Sequence, residues 1–219
     1  MTTLTILGSG TSTGVPLIQC KCLTCRSKNP RNQRLRASVW IQTRGKSFLV
    51  DTSPDLRAQA LRARIPRIDA VLYTHPHADH ISGIDELRSF NFIQKEEIPV
   101  YGNSWTWEDL NLRYQYIFKP SRVEGGGIPR LKFHLIPSEL EEIQILGVPV
   151  LPLPVLHGSQ TTLGFRIDSV AYLTDCSYIP TQVLDRLQGL GKGSALLLRA
   201  ALRVILRNFL PRFLPPRWY

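Results

Sequence analysis

The sequence predicts a layered α/β (α+β) fold in which two β-sheets pack face to face and helices cover the outer surfaces. Two observations predict it: short apolar strands fall into two separate runs, and segments of helical composition lie between and after them. A third sets the scale. The 219 residues are 43% hydrophobic and 20% charged, ordinary values for one soluble core, and no fixed-period repeat divides them. No apolar run follows a basic start, so secretion is not expected.

The elements follow in chain order. Leu4 and Ile6 alternate with polar neighbours in a short strand that stops at Gly8-Ser9-Gly10-Thr11-Ser12-Thr13-Gly14. That loop lacks the lysine of a nucleotide-binding loop and runs into cysteines instead of a helix, which argues against a phosphate cradle. Strands at 38–43 and 46–51 make a hairpin turning near Arg44-Gly45, and the second ends in Phe48-Leu49-Val50-Asp51. A helix is expected over 54–64, with Pro54 in its first turn. The apolar strand 70–74 then delivers the chain to His75. Residues 84–94 read as helix, 98–101 as strand, and 105–118 as an aromatic-rich helical or irregular insert. Its tryptophans and tyrosines are read as packing area, with stacking on a base or ring as the alternative. Strands at 131–136, 143–146, 148–152, 161–167 and 170–174 form the second run, and a short helix at 180–187 follows.

Charge is unevenly spread. Of the net +10, six units come from Lys192, Arg199, Arg203, Arg207, Arg212 and Arg217 in the acid-free stretch 191–219, leaving +4 for the rest. A body that mildly basic suits a small anionic substrate as well as nucleic acid, so charge does not choose between them. Cys20-Lys21-Cys22-Leu23-Thr24-Cys25 is too tight for a disulfide framework, and it points to a thiolate metal site in a reducing compartment, the cytoplasm by default.

His75-Pro76-His77-Ala78-Asp79-His80 holds three of the five histidines immediately after an apolar strand. Imidazoles and a carboxylate at that density in a loop suit divalent metals, whereas a buried structural histidine would not bring an acid and two further rings with it.

This His75-x-His77-x-Asp79-His80 pattern resembles the signature of the metallo-β-lactamase superfamily, which implies a four-layer αββα sandwich. On that resemblance His157, in Pro154-Val155-Leu156-His157-Gly158, would join His75 and His77 on one metal ion. Asp79 and His80 would hold a second, Asp175 would bridge the pair, and Asp51 would orient the ligands from behind. Asp79, His80 and Asp175 are therefore the expected catalytic residues. The implied cofactors are two divalent ions, zinc or manganese, and the implied chemistry is attack by a metal-bridging hydroxide.

The run from Gly8 to Pro16 followed by Cys20-x-Cys22-x-x-Cys25 is similar to the phosphoribosyl cyclic phosphodiesterases of phosphonate breakdown, and this likeness covers about residues 1–190. It implies a structural zinc at the cysteines and a small cyclic or nucleotide-like phosphodiester as substrate. An RNA-processing nuclease and a thioester or lactone hydrolase of the same superfamily are the enzymatic alternatives. Nucleic acid is the less favoured partner, and homodimerisation stays open.

The pattern breaks beyond residue 190. Members of that group carry two late histidines, one for the second metal ion and one for the structural zinc, and here no histidine follows His157. Cys176, beside Asp175, is expected to pack or to line the active site and not to reach the cysteine cluster, and His134 to be a satisfied ring on its strand. Over 195–214 the arginines 199, 203 and 207 recur every four residues among apolar ones. On a helix they would form a cationic stripe able to lie on an anionic membrane surface. The favoured reading of 191–219 is instead an atypical tail from a shifted reading frame, which would leave an inactive metal-binding remnant as the non-enzyme alternative.

Overall fold

A computed structural model describes residues 1–119, 127–136, 140–188, 190 and the backbone of 195–199. Strands β1 (Thr3–Gly8), β2 (Ser38–Thr43), β3 (Lys46–Val50), β4 (Ala70–Leu72), β5 (Ile98–Gly102) and β6 (Leu131–Leu135) form one sheet in sequence order. The first three are antiparallel, and β3 to β6 are parallel. Parallel neighbours need crossovers. These are α1 (Leu56–Ala63), then α2 (Ala78–Ile81) with the 3-10 turn Ile84–Glu86 and α3 (Leu87–Gln94), then α4 (Ser104–Arg113) with α5 (Gln115–Phe118). The second sheet contains β7 (Ile143–Ile145), β8 (Val148–His157), β9 (Gln160–Ile167), β10 (Val170–Thr174) and β11 (Ala195–Arg199), in the order β11-β10-β9-β8-β7. Helix α6 (Thr181–Leu187) lies between β10 and β11 in sequence.

Period-two alternation sorts the strand side chains into layers. Val39, Ile41, Phe48, Val50, Ala70 and Leu72 of the first sheet meet Val148, Val150, Leu163, Phe165, Ile167, Val170 and Tyr172 of the second in one buried cluster. The intervening residues Trp40, Leu49 and Val71 point the other way, onto Leu56 of α1, Leu87 and Phe90 of α3 and Leu110 of α4. Leu151, Leu153, Val155, Ala171 and Leu173 likewise face Val183 of α6. Helix, sheet, sheet, helix is the predicted four-layer sandwich.

The expected hairpin turns through Arg44 and Gly45, both at positive φ (49° and 73°), the twist that suits a two-residue connection. Two sequence expectations need correction. Strand β8 continues through Pro152 and Pro154 to His157, because β7 pairs only as far as Val150 and the next pairing on that side is Leu156 with Tyr178, so at the two prolines a missing N–H leaves no ladder bond unmade. The helical reading of 195–214 fails over Ala195–Arg199, which pairs in parallel with β10 from Val170 to Thr174. Burial of the central β10 explains why its partner is an apolar run. The remainder of that reading lies outside the described residues.

The glycine-rich segment after β1 is held to residues 34–36 by backbone bonds, Gly10 N–H to the Leu35 carbonyl at 2.7 Å and a reciprocal Val15–Arg34 pair at 2.9 and 2.8 Å. Those amides serve the fold and do not converge on a ligand. At the far end of the sandwich, Asp168 in the β9–β10 turn accepts from Thr43 Oγ1 (2.5 Å), Thr2 Oγ1 (3.0 Å) and Arg44 Nη2 (2.9 Å), joining the two sheets.

Candidate metal centre

β3, β4, β8 and β10 deliver their next residues to one end of the sandwich: Asp51 after β3, the histidine loop after β4, His157 at the end of β8 and Asp175 after β10. The Leu163 N–H donates to the Thr74 carbonyl at 2.9 Å and ties the two sheets together there. Asp51 and Asp175 both have positive φ (63° and 49°), so each strand breaks sharply at its carboxylate. Aspartate tolerates that region better than most residues, and such backbone strain concentrates at functional positions.

The structure brings the predicted residues into two overlapping groups. Ligand atoms of His75, His77 and His157 lie within 4.8 Å of one another, as do those of His75, His80 and Asp175. Asp175 Oδ2 is 2.6 Å from His80 Nε2 and 3.8 Å from His75 Nε2. Asp79 Oδ2 stands 3.2 Å from His80 Nε2, so it faces the second group. His75 and His80 are fully buried, whereas His77 is exposed and His157 and Asp175 are half-buried, leaving the centre open on the His77 side.

The hydrogen bonds behind the ligands settle which ring nitrogen carries the proton. Buried Asp51 accepts from Thr74 N–H (2.8 Å), Thr74 Oγ1 (2.8 Å) and His80 Nδ1 (2.7 Å). Thr74 has one hydroxyl hydrogen, and it is given to Asp51. The 2.9 Å contact between Thr74 Oγ1 and His75 Nδ1 must therefore be donated by the histidine. Asp51 thus orients His80 directly and His75 through Thr74, a relay in which only the aspartate was expected from sequence. In both rings the Nε2 atom is left toward the cleft; that of His80 meets the Asp175 and Asp79 carboxylates, whereas that of His75 is buried without a hydrogen-bond partner. A buried nitrogen left so needs an explanation, and a bound cation supplies one.

Electrostatics agree. Burial, reinforced by His80, pushes the His75 imidazole far below its ordinary value, so it is a neutral donor. Burial works against a charge on His80 too, but Asp51, Asp175 and Asp79 outweigh it and raise its pKa. Burial raises the Asp51 carboxyl, yet three donors converge on it, and the geometry supports an ionised Asp51 accepting from His80. Three carboxylates around one ring make a place for positive charge. The donor set suits zinc or manganese.

Packing places the loop. Gly83, just after α2, lies so close to the turn that follows Asp51 that a Cβ there would stand 2.0 Å from the Ser53 carbonyl oxygen, and its N–H donates to the Thr52 carbonyl at 2.9 Å. Ser177 Oγ donates to the Leu156 carbonyl (3.0 Å) and accepts from Gly158 N–H (3.0 Å), clamping the His157 turn to the segment after Asp175. Sequence reasoning missed Thr74 and Ser177. Thr74 was findable, as the one polar residue between a buried strand and the histidines.

Cys20, Cys22 and Cys25 do come together, their sulfurs within 4.8 Å of one another. Leu17 N–H points to Cys25 Sγ and Cys25 N–H to Cys22 Sγ, both at 3.4 Å. The Cys25 amide, helped by Cys20 and Cys25 sulfur contacts, lowers the Cys22 thiol to about 7, favouring the ligand form of an exposed residue. Cys176 packs, as expected, among Leu151, Val155 and Leu173, and burial raises it to about 11. His134 stacks on Tyr101 with ring centroids 4.9 Å apart.

Known proteins share this arrangement. The sequence profile of the Beta-lactamase superfamily domain matches residues 46–198, a span that includes every active-site ligand candidate and most of β11. A solved diphosphatase from the PhnP family is 42% identical with a TM-score of 0.77, covering 86% of this chain and 71% of that one. An octanoyltransferase of Porphyromonas gingivalis is 39% identical over 184 residues, 84% of this chain but 36% of that protein. A ribonuclease Z of Halalkalibacterium halodurans is 33% identical over 133 residues, 57% of this chain and 40% of that enzyme. The chain thus spans little more than a third of the length of these two curated relatives. Two face-to-face sheets, histidines and aspartates gathered at one end of them and a profile match running through both halves show that the chain belongs to the β-lactamase superfamily, with the metallo-β-lactamase fold.

Proposed function

We propose that this hydrolase is a phosphodiesterase acting on a small cyclic or nucleotide-like phosphodiester through two divalent metal ions. The observation that carries the reading is the pair of overlapping ligand groups that share His75, with Asp175 between His75 and His80. His75, His77 and His157 would hold one ion and His80, Asp79 and Asp175 the other. Ions bound there would supply Lewis acidity, bringing the pKa of a water toward neutrality and offsetting charge that builds on phosphoryl oxygens. The protein's part is placement. Asp51 and Thr74 keep Nδ1 of His80 and His75 protonated, so each ring presents Nε2 to the cleft. Asp175, half-buried beside His80, is placed to offer its ionised carboxylate on the cleft side.

The likeness to a diphosphatase supports phosphoryl chemistry. A structural zinc at Cys20, Cys22 and Cys25 belongs to the same reading. The test is metal content of the purified chain beside hydrolysis of bis(p-nitrophenyl) phosphate, with and without zinc or manganese. Two active-site metal equivalents and turnover abolished in His77→Ala support it; metal binding with no turnover of any phosphodiester overturns it. The identity to a ribonuclease Z favours a second reading, an RNA-processing nuclease, for which cleavage of structured RNA with steep salt dependence is the mark.

A further inference from the structure

Trp105 stands at the open side of the metal centre. Its ring lies 5.6 Å from His77, nearly perpendicular at 89°, and 6.2 Å from His75 at 35°. The neighbouring Trp107 instead packs on other rings, meeting Phe133 at 4.7 Å and Phe118 at 5.3 Å. Trp105 contributes to none of the three apolar clusters of the core and is half-buried, so it keeps indole surface in contact with water. Leaving part of the largest apolar side chain exposed beside polar ligands gives the fold little, and such a surface usually meets something.

Its placement is rigid. Trp105 sits in the first turn of α4, whose N-cap Asn103 accepts from Thr106 N–H (2.9 Å) and Thr106 Oγ1 (2.9 Å). The same Asn103 donates through Nδ2 to the Thr161 carbonyl at 3.1 Å, so the start of the helix is bonded to the second sheet. A tryptophan carried on a helix start held in this way loses little backbone freedom when a flat ring lies on it.

We infer that Trp105 is a stacking platform for the base of the substrate, which makes that substrate a nucleoside phosphodiester and not a base-free sugar phosphate. This rests on the phosphodiesterase reading for the chemistry but not for the binding. A phosphate directed to the histidines would leave a base, one sugar away, over the lip where His77 and Trp105 meet. Stacking of a base on an aromatic side chain is tolerant of base identity, so the expected preference is for purine and pyrimidine nucleotides alike.

The experiment uses the full chain loaded with zinc and two probes that differ only in the base, adenosine 5′-monophosphate and ribose 5-phosphate, by isothermal titration. The wild type is expected to bind the nucleotide about tenfold more tightly. Trp105→Ala should abolish that preference, and Trp105→Phe, which keeps an aromatic face and guards against a folding defect, should retain most of it. Equal binding of the two probes by the wild type, no binding of either, or equal weakening of both in Trp105→Ala and Trp105→Phe overturns the inference. Nucleotide preference without turnover of any phosphodiester would leave the stacking site standing while the phosphodiesterase reading fell.

Discussion

Thr74→Val tests the relay behind the ligands with the smallest change of shape. Valine keeps the volume and the strand propensity but removes Oγ1, which donates to Asp51 at 2.8 Å and accepts from His75 Nδ1 at 2.9 Å. A hydrogen bond to an ionised group contributes about 1.5–3 kcal/mol, and a stranded buried N–H costs about 1–3 kcal/mol. His75 can escape part of that cost by moving its proton from Nδ1 to Nε2, which relieves the stranded donor but blocks the ligand atom. The metal-free chain should therefore lose about 2–4 kcal/mol in urea unfolding with chelator present. Zinc affinity, measured by competition with a chromophoric chelator, should fall about 10- to 100-fold. Thr52→Val is the control. Thr52 is as buried, and its hydroxyl bonds Tyr73 Oη (3.0 Å) and the Ile81 carbonyl (3.1 Å), not a histidine ring or Asp51. It should destabilise without a comparable loss of zinc. Equal zinc affinity in Thr74→Val and the wild type, or equal losses in both variants, would refute the relay.

Four further outcomes follow from the same contacts. Ser177→Ala releases the clamp on the His157 turn and should weaken zinc binding about tenfold while unfolding costs change by only about 1 kcal/mol, read by chelator competition and urea titration. Gly83→Ala drives a Cβ to 2.0 Å from the Ser53 carbonyl oxygen, and backbone cannot yield as a side-chain tip can; the expected result is a loss of more than about 2 kcal/mol, or insoluble protein. Asp168→Asn removes a carboxylate that burial tends to raise but Thr43, Thr2 and Arg44 together lower. Its stabilising effect is present above the ordinary carboxylate value and is lost as pH falls through the lowered one. The variant should therefore melt about 3 °C below wild type at pH 7, with the gap closing below about pH 4. Chelation of the wild type should lower the melting temperature, since zinc at a hundred times its Kd adds about 2.7 kcal/mol, and calorimetry with and without added zinc measures it.

The parts of the fold legible in sequence were those whose signal is local. The alternation of Leu4 and Ile6 in β1, the short apolar runs of β3 and β10, the glycine at Arg44-Gly45 and the density of imidazoles from His75 to His80 each state their role within a few residues. What escaped depends on partners distant in sequence. The strand expected over 148–152 stops short of Pro154 and His157 because nothing local says that β7 ends opposite Val150 and leaves Pro152 and Pro154 without a partner on that side. The leucines of β11 read as one side of a helix because the buried β10 they join is more than twenty residues away. Helix α2 has four residues, three of them inside the ligand motif, too few for any period to register.

The same division runs through the site. Ligands are legible because few residue types bind metals, so a cluster of them has few other meanings. The groups that aim them are threonine, serine and glycine, which occur everywhere, and their roles come from counting hydrogens and measuring approach. Thr74 matters because its one hydroxyl hydrogen goes to Asp51 and forces the proton of His75 onto Nδ1. Gly83 matters because a methyl group would meet a carbonyl. A second chain with the same six ligands but valine at the position of Thr74 would carry the motif and still present the wrong nitrogen to the cleft. Competence in this fold is therefore set by the residues behind the ligands as much as by the ligands themselves.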